Sequence, residues 1–404
     1  MKTRQIVVGL CLLLGFTTAY AQEGDNSRLK NLTLSGYIQG EYQYGGKSAS
    51  LLVGKGNTDP DKSFSRTGIR RGRIKLEYTE NIASAVFQLD LTEKGLGIKD
   101  AHLKIKDPWL RTNSLQAGLF NSPFGYENSY SASSRESPER SAISQSLFPE
   151  EQDLGAMLVL QPAESSPLRF LKLEAGLFSG NGIRQETDSK RDFAGRLSAS
   201  KSLTHGFSFT LGISLYNGFA YQGTENVYRM EGNTFVLHTN ASNLGSFAKR
   251  EYYGVDAQIS FAGLLGKTKL QAEYLLGQQP GTPTGSKTPA YSLLSGYDTY
   301  IRNFRGGYAM LTHYIGKSPL AAVVKYDWYD PNTDVSGDNV GLNETTATDL
   351  ARSTWGTGVL WDINKALRLQ AYYEFKDNEK ASAIAGMNEN VDDDVFTLRL
   401  QYKF

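Results

Sequence analysis

Apolar and polar residues alternate at every second position in stretch after stretch of this chain, and this period limits its fold more than any other feature. In FSFTLGISLY, residues 207–216, large apolar residues alternate with serine, threonine and glycine, and VFTLRLQYKF, residues 395–404, follows the same pattern. Because successive side chains of a β-strand point to opposite faces, a period of two predicts strands with one apolar face. We predict sixteen strands, at residues 32–44, 66–78, 84–92, 98–106, 114–120, 153–161, 168–179, 192–200, 207–217, 250–261, 267–278, 303–315, 321–330, 353–363, 366–374 and 394–404.

The connections between these strands alternate between short and long. Most of the strands approach the 9 to 11 residues that a tilted strand needs to cross a bilayer. Short turns on one side and long loops on the other are typical of outer-membrane barrels. The sequence therefore predicts an all-β fold, a 16-stranded antiparallel transmembrane β-barrel with short periplasmic turns and long extracellular loops. A soluble sandwich or barrel is the alternative.

The composition is compatible with such a barrel although the chain is polar on average. Its mean hydropathy is -0.40, and it has 41 Gly and 23 Tyr but only 12 Pro. No later stretch approaches the roughly 18 consecutive apolar residues of a membrane helix. A barrel with a wet lumen shows only every second strand residue to lipid, so a polar average does not exclude membrane insertion.

The first residues have the organisation of a secretory signal peptide. Lys2 and Arg4 precede an apolar stretch, and Ala19 and Ala21 give a small-residue cleavage site. We therefore predict a signal peptide at residues 1–21 and an outer-membrane barrel domain at residues 22–404. Cys11, the only cysteine of the chain, would leave with the signal peptide, so no disulfide is expected in the mature protein.

Aromatic residues gather near the predicted strand ends, for example at Tyr252 and Tyr253, Trp328 and Tyr329, and Tyr372 and Tyr373. Girdles of aromatic rings at the two membrane interfaces would explain them; packing in a soluble core is the alternative. The chain ends on Phe404, and a terminal aromatic on the last strand resembles the signal that barrel assembly machinery recognises.

A cluster of basic residues lies on strands that must also bury an apolar face. In SRTGIRRGRIKLEY, residues 65–78, Ile74, Leu76 and Tyr78 alternate with charged residues. A charge on the lipid face near mid-membrane costs roughly 2–4 kcal/mol, so the charged residues are expected to face the lumen. The same rule applies to IKDAHLKIKD, residues 98–107. One wall of the pore is thus predicted to carry a basic ladder of Arg71, Arg73, Lys75, Lys104 and Lys106.

Two further features concern the pore interior. Residues 121–152 form the longest connection of the first half and contain Arg135 and Arg140, and we expect this segment to be a constriction loop. The later strands instead place acids inward by the same parity, namely Glu174, Asp256, Glu273, Asp327 and Glu374. A basic wall facing acidic groups would create a transverse field, which argues against strict selectivity for phosphate.

The chain resembles the phosphate-selective porins O and P. The stretches that carry the resemblance are GYIQGEY (36–42), GIRRGRIKLE (68–77), VFQLDL (86–91), KDAHLKI (99–105) and LQAGLFNSPFGYEN with PERS (115–141). The resemblance implies a sixteen-stranded, trimeric barrel with an anion-preferring pore. It also places residues 138–141 at the loop motif of the family, and Arg71 and Arg73 on its basic strand.

We therefore expect an outer-membrane porin of a Gram-negative bacterium, which allows passive diffusion of small solutes and prefers anions, phosphate or other oxyanions among them. A non-selective diffusion porin and a non-transport barrel, such as an adhesin or scaffold, are the alternatives. The expected partners are outer-membrane lipid, small anionic solutes, the barrel assembly machinery and two further copies of the chain, with no nucleic acid, no cofactor and no enzymatic activity. The predicted anion-binding residues of the pore are Arg71, Arg73, Lys75, Lys104, Lys106, Arg135 and Arg140. The acidic stretches at residues 57–62 and 391–395 could bind calcium or be solvated loop.

Overall fold

The structure is a computed structural model that describes residues 28–184, 188–203, 206–287 and 296–404. The predicted signal peptide at residues 1–21 lies outside this part of the chain. The strands are β1 Leu32–Gly45, β2 Phe64–Glu80, β3 Ala83–Thr92, β4 Gly95–Lys106, β5 Ser114–Asn121, β6 Gln152–Leu160, β7 Leu171–Phe178, β8 Asp192–Ser202, β9 Phe207–Tyr221, β10 Asn226–Glu231, β11 Thr234–Thr239, β12 Phe247–Gly263, β13 Gly266–Gly281, β14 Thr299–Ile315, β15 Leu320–Asp330, β16 Arg352–Asp362, β17 Leu367–Asn378 and β18 Val395–Lys403.

Helical structure is sparse. In the described part of the chain one α-helix, α1, spans Ala142–Leu147, and short 3-10 segments span Arg28–Asn31, Ala241–Asn243, Gly337–Asn339 and Ala347–Asp349. Among the described residues, no helix has the length and apolar character that crossing a membrane requires.

The barrel consists of sixteen antiparallel strands, which confirms the predicted fold class. Each barrel strand pairs with its neighbour in the chain, except that β9 pairs directly with β12. The barrel closes where β1 pairs with β18, with Tyr37 opposite Lys403 and Gly45 opposite Val395. Beyond the end of β18, Gly36 and Phe404 exchange two backbone hydrogen bonds of 2.9 and 3.0 Å. The terminal residue is therefore part of the closing seam.

The remaining two strands, β10 and β11, form a hairpin that the sixteen-strand prediction omitted. Glu231 lies opposite Thr234, and Gly232 between them has a φ of 65°, which a tight hairpin turn requires. β10 also runs parallel to the first residues of β14 for three pairs. Residues 218–249 are therefore not an irregular loop, because β9 extends to Tyr221, β12 begins at Phe247 and the hairpin lies between them.

The two ends of the barrel differ in the length of their connections. At one end, here the short-turn end, turns such as residues 81–82 and 264–265 join the strands; at the other, the long-loop end, the connections include residues 122–151 and 331–351. The exception at the long-loop end is the two-residue connection between β3 and β4, at residues 93–94.

The two faces of the strands follow the predicted parity. Leu211, Ile213 and Leu215 of β9 are exposed on the outside, while Ser214 between them is buried. The predicted aromatic girdle needs a correction for the same reason. Tyr252, Tyr329 and Tyr372 point inward and are buried, so only their neighbours Tyr253, Trp328 and Tyr373 are placed to face lipid.

Two β-bulges interrupt this parity on the basic wall. Gln39 of β1 lies opposite Arg71, but Gly40 lies opposite Ile69, so Arg70 is an extra residue in β2. Similarly, Gln88 of β3 lies opposite Asp100 and Leu89 opposite Ile98, which leaves Lys99 extra in β4. A bulge lets two consecutive residues share a face. Arg70 and Lys99 therefore turn toward the lumen beside Arg71 and Asp100.

Candidate functional site: a loop held across the lumen

Residues 122–151, here called the crossing loop, leave β5 at the long-loop end and contact the inner face of the barrel on several sides. Phe124, Ile143 and Leu147 of the loop belong to a buried apolar cluster together with inward residues of the wall, which are Phe120, Met157, Val159, Phe178, Ala194, Tyr216, Tyr252, Leu275, Phe304 and Tyr329. Burial of these side chains fixes one side of the loop against the strands.

On the basic wall, Glu139 of the crossing loop is surrounded by three arginines. Its carboxylate accepts hydrogen bonds from Arg71 (Nη2–Oε2 2.6 Å, Nη1–Oε1 3.0 Å) and from Arg70 (Nε–Oε1 3.0 Å, Nη2–Oε2 3.0 Å). Arg399 of β18 adds a contact from Nη2 to Oε1 at 2.9 Å and also pairs with Glu41. Burial alone would raise the pKa of the Glu139 carboxyl, but Arg71, Arg70 and Arg399 outweigh it and hold that pKa well below its ordinary value. We call Glu139 and its three arginines the Glu139 cluster.

The same wall also holds the backbone of the crossing loop. Gln39 of β1 donates to the carbonyl of Ala132 at 3.2 Å, and Gln401 of β18 donates to that of Ser133 at 3.0 Å. Arg399 donates to the carbonyl of Pro138 at 2.8 Å. These contacts satisfy loop carbonyls that would otherwise be buried without a partner.

The opposite wall holds the loop with groups from β13 and β15. Lys325 lies 3.0 Å from Glu127, and Lys269 lies 2.9 Å from Glu136. Glu273 accepts hydrogen bonds from the backbone N–H groups of Tyr126 and Glu127 at 3.1 and 2.9 Å. The backbone N–H of Ala142 donates to Asp327 at 3.1 Å. The loop is thus attached to two opposite walls of the barrel by charge-assisted hydrogen bonds, which are stronger than neutral ones.

A second group of cations surrounds Glu151 at the end of the crossing loop, here called the Glu151 cluster. Its carboxylate lies 3.2 Å from Arg135, 3.3 Å from Arg140, and 3.5 Å from both Arg73 and Lys99. Arg73 is shared with Asp90, at 3.2 Å. Four cations therefore face two carboxylates, and Nε and Nη1 of Arg135 are buried without a hydrogen-bond partner among the described residues.

Nearer the short-turn end, the lysines of the basic ladder lie along the barrel wall and form no ion pair with the described residues of the crossing loop. Lys75 pairs with Glu77 at 2.7 Å, and Lys172 of β7 pairs with Glu174 at the same distance. The side chains of Lys104 and Lys106 have no ion pair or hydrogen bond to any described residue. We call the four lysines the lysine group.

The inward acids of the later strands are not a free acidic surface. Asp256 forms a two-point pair with Arg196, at 2.6 and 3.0 Å, and Glu273 and Asp327 hold the crossing loop. At the long-loop end, a cavity of about 350 Å³ opens beside α1, and both signs of charge line it, with Asp327 and Glu374 against Arg352 and Lys376.

All seven sequence-predicted cations thus lie on the basic wall or on the crossing loop, but the structure separates them into three sets. Arg71 lies in the Glu139 cluster, and Arg73, Arg135 and Arg140 lie in the Glu151 cluster. Lys75, Lys104 and Lys106 lie in the lysine group. Sequence reasoning missed Arg70, Lys99, Lys172, Arg399, Lys269 and Lys325. The first two were hidden by the bulges, which no regular alternation reveals.

Known proteins show the same fold. Residues 56–404 match the family model of the phosphate-selective porins O and P. Among solved structures, OprB of Pseudomonas putida has a TM-score of 0.60 and 10% identity over 93% of this chain and 95% of that one. OmpF of Salmonella typhi, in complex with daunomycin, has a TM-score of 0.56 and 13% identity over 92% and 97%. The trimer form of OmpT, an outer membrane protein of Vibrio cholerae, has a TM-score of 0.52 and 10% identity over 92% and 99%.

At such low identities the solved structures establish the fold alone, and no curated protein matches the chain. The family match extends over most of the chain and includes both bulged strands, the crossing loop and the closing strand. The family and the fold together indicate a channel of the bacterial outer membrane rather than an enzyme. The chain belongs to the phosphate-selective porin O and P family.

Proposed function

We propose that this porin is a passive diffusion pore for small solutes, that the crossing loop is its constriction, and that it weakly prefers anions. A sixteen-stranded barrel is wide enough to leave an aqueous channel. The long-loop end is taken to face the outside of the cell and the short-turn end the periplasm, as is usual for such barrels.

The observation that carries the anion preference is the surplus of cations on one wall. The Glu139 cluster has three arginines against Glu139 and Glu41, and the Glu151 cluster has four cations against Glu151 and Asp90. The lysine group has four cations against Glu77, Asp100 and Glu174 on the same strands. Each set is therefore net positive, and rings or rows of such residues attract anions.

The opposite wall keeps this preference weak. Lys269 and Lys325 there are matched one to one by Glu136 and Glu127, so that wall has no surplus of cations, and the side chains of Glu273 and Asp327 accept backbone hydrogen bonds beside them. The field therefore points across the pore, and a passing cation finds a favourable side as well. This arrangement supports modest anion preference over strict selectivity for phosphate.

Lys104 is the best test of this proposal because it is inward, central in the lysine group and without a partner among the described residues. Purified protein in a planar bilayer under a KCl gradient should give a reversal potential whose sign shows that chloride permeates more readily than potassium. Lys104→Gln should move that potential toward zero. Lys201 lies at the same end of the barrel but on its outer face, so Lys201→Gln is the matched control and should leave the reversal potential unchanged.

Two results would overturn parts of the proposal. A protein that inserts but conducts no ions is not a diffusion pore. Equal reversal potentials for the parent and Lys104→Gln would show that the lysine group does not contribute to the anion preference of the pore. Added phosphate should reduce the chloride current of the parent more than that of Lys104→Gln if oxyanions use the same lysines.

We also infer that the porin is a homotrimer. The trimer form of OmpT of Vibrio cholerae, whose fold resembles this chain, supports this assembly. Measuring the mass of the detergent-solubilised complex tests it directly.

A further inference from the structure

Aromatic residues are distributed very unevenly around the outside of the barrel. Strands β3–β7 contain neither tyrosine nor tryptophan, and their only outward aromatic residue is Phe87, although Trp109 in the β4–β5 turn and Phe170, one residue before β7, are exposed at the short-turn end. The remaining strands present many, among them Tyr42, Tyr44, Tyr253, Phe261, Tyr274, Trp355, Trp361, Phe375, Tyr402 and Phe404, all exposed.

This asymmetry has a physical meaning in a membrane barrel. Tyrosine and tryptophan are favoured at both membrane interfaces, because the ring lies among apolar groups while its polar atom meets the headgroups. A barrel that faced lipid all around would need this girdle on every side. A wall of five neighbouring strands that has no tyrosine or tryptophan within the strands, and aromatic residues only beyond their short-turn ends apart from Phe87, is better suited to contact with protein.

The shape of the outer surface of β3–β7 also favours contact with another protein chain. Alanines lie near the middle of its strands, with Ala117 of β5 directly opposite Ala156 of β6, and Leu103, Leu158 and Leu177 stand exposed around them. Small residues allow two membrane surfaces to approach closely. The face is also short along the barrel axis, since β5 and β7 have 8 residues each, whereas β12 and β14 on the other side have 17 each.

The size of the face sets how much contact area its membrane-spanning part can supply. Five strands about 4.8 Å apart and tilted by about 40° make a face roughly 30 Å wide. Over an apolar band about 25 Å tall, this corresponds to roughly 800 Å². In a ring of three copies this face is divided between two neighbours, so the apolar band supplies roughly 400 Å² per contact, about half of the 800 Å² that a standard protein interface buries on each partner.

We propose that the outer face of β3–β7 is the surface by which copies of this chain contact one another around a threefold axis. The inference rests on the homotrimer proposed above and specifies which side of the barrel lies inside the trimer. Five of the sixteen barrel strands cover about a third of the circumference, which is the share that a ring of three copies turns toward its axis. The aromatic-rich remainder faces lipid.

Spin labels on single cysteines test the placement, because the chain has no cysteine after residue 11. Leu158 on β6 and Leu311 on β14 are both exposed, outward leucines, so Leu158→Cys and Leu311→Cys form a matched pair. In reconstituted protein, the label at residue 158 should collide with oxygen, which partitions into lipid, several-fold less often than the label at residue 311. It should also show broadening from labels on neighbouring copies.

A second pair uses steric bulk instead of a label. Ala117 of β5 and Ala272 of β13 are both outward alanines in mid-strand. Ala117→Trp should convert most of the trimer to monomer with the barrel still inserted, whereas Ala272→Trp should leave the trimer intact.

The outcomes separate the two proposals. A trimer with equal oxygen collision at residues 158 and 311, or one that Ala117→Trp leaves intact, overturns the β3–β7 face but not the homotrimer. A monomeric parent protein overturns both, while ion conduction is measured independently of either result.

Discussion

Glu139 and Arg71 form a two-point ion pair at the place where the crossing loop meets the barrel wall, and both side chains are buried. The pair joins residues 68 positions apart in the chain. With Arg70 and Arg399 on the same carboxylate, the loop neutralises arginines that would otherwise line the pore. Glu139 is therefore expected to affect both the position of the loop and the charge of the lumen.

Glu139→Gln should increase anion preference, because it removes one negative charge and leaves three arginines with only Glu41 as a carboxylate partner. At about 10 Å in water, one unit charge changes the energy of a passing ion by roughly 0.4 kcal/mol. The anion-to-cation permeability ratio from the reversal potential should therefore rise about two- to fourfold. Glu77→Gln removes a carboxylate paired with a single half-exposed lysine and should have a smaller effect. A fall in the ratio for Glu139→Gln would contradict the masking role.

Leu76→Arg should impair insertion, because Leu76 is exposed on the outer face of β2 and a cation there costs roughly 2–4 kcal/mol. Gln88→Arg places the same cation on the inner face of the adjacent strand, where Gln88 lies opposite Lys75, and should be tolerated. The yield of heat-modifiable barrel on cold gel electrophoresis measures the difference. Equal yields would show that the assigned faces of these strands are wrong.

Deleting Phe404 should reduce assembly. The deletion removes both backbone hydrogen bonds between Phe404 and Gly36 at the closing seam, together with an exposed aromatic ring at the membrane boundary. We expect the membrane-inserted fraction to fall by about half or more. Phe404→Tyr keeps the backbone bonds and the ring and serves as the control. Full insertion of the deleted chain would mean that the seam closes without its last residue.

An epitope tag between Gly232 and Asn233, at the tip of the β10–β11 hairpin, should be accessible to antibody on intact cells. The same tag between Leu264 and Leu265, in a short turn at the other end, should be accessible only after the cells are opened. The reverse result would place the long-loop end in the periplasm and contradict the proposed orientation.

The sequence was sufficient for the barrel strands but not for every element. All sixteen were predictable because each must show an apolar residue to lipid at every second position. The β10–β11 hairpin was missed although Gly232 and Asn233 separate two alternating runs, which is a hairpin signal. Its strands have only 6 residues each and lie within a long connection, so the membrane-strand pattern did not apply to them.

The site was predictable as a set of inward cations but not as a set of ion pairs. Parity alone places Arg71 and Arg73 in the lumen. It cannot show that Glu139 and Glu151 of the loop reach them, because those contacts depend on how a 30-residue connection folds back into the barrel. Arg399 contacts Glu139 from 260 residues away, and no local pattern encodes such a contact.

Each of the bulges in β2 and β4 shifts the alternation of inward and outward residues by one position, here called a slip. On one side of Arg70 the odd-numbered residues face lipid, as Ile69 does; on the other side the even-numbered ones do, as Ile74 does. Without the slip, a strand that kept Arg71 inside would have to turn Ile69 inside as well and send Arg70 into the hydrocarbon. Lys99 marks the same change of phase in β4. Each slip thus adds a positive charge to the lumen without lengthening the loop or adding a strand, so the number of cations on this wall is partly a property of backbone register.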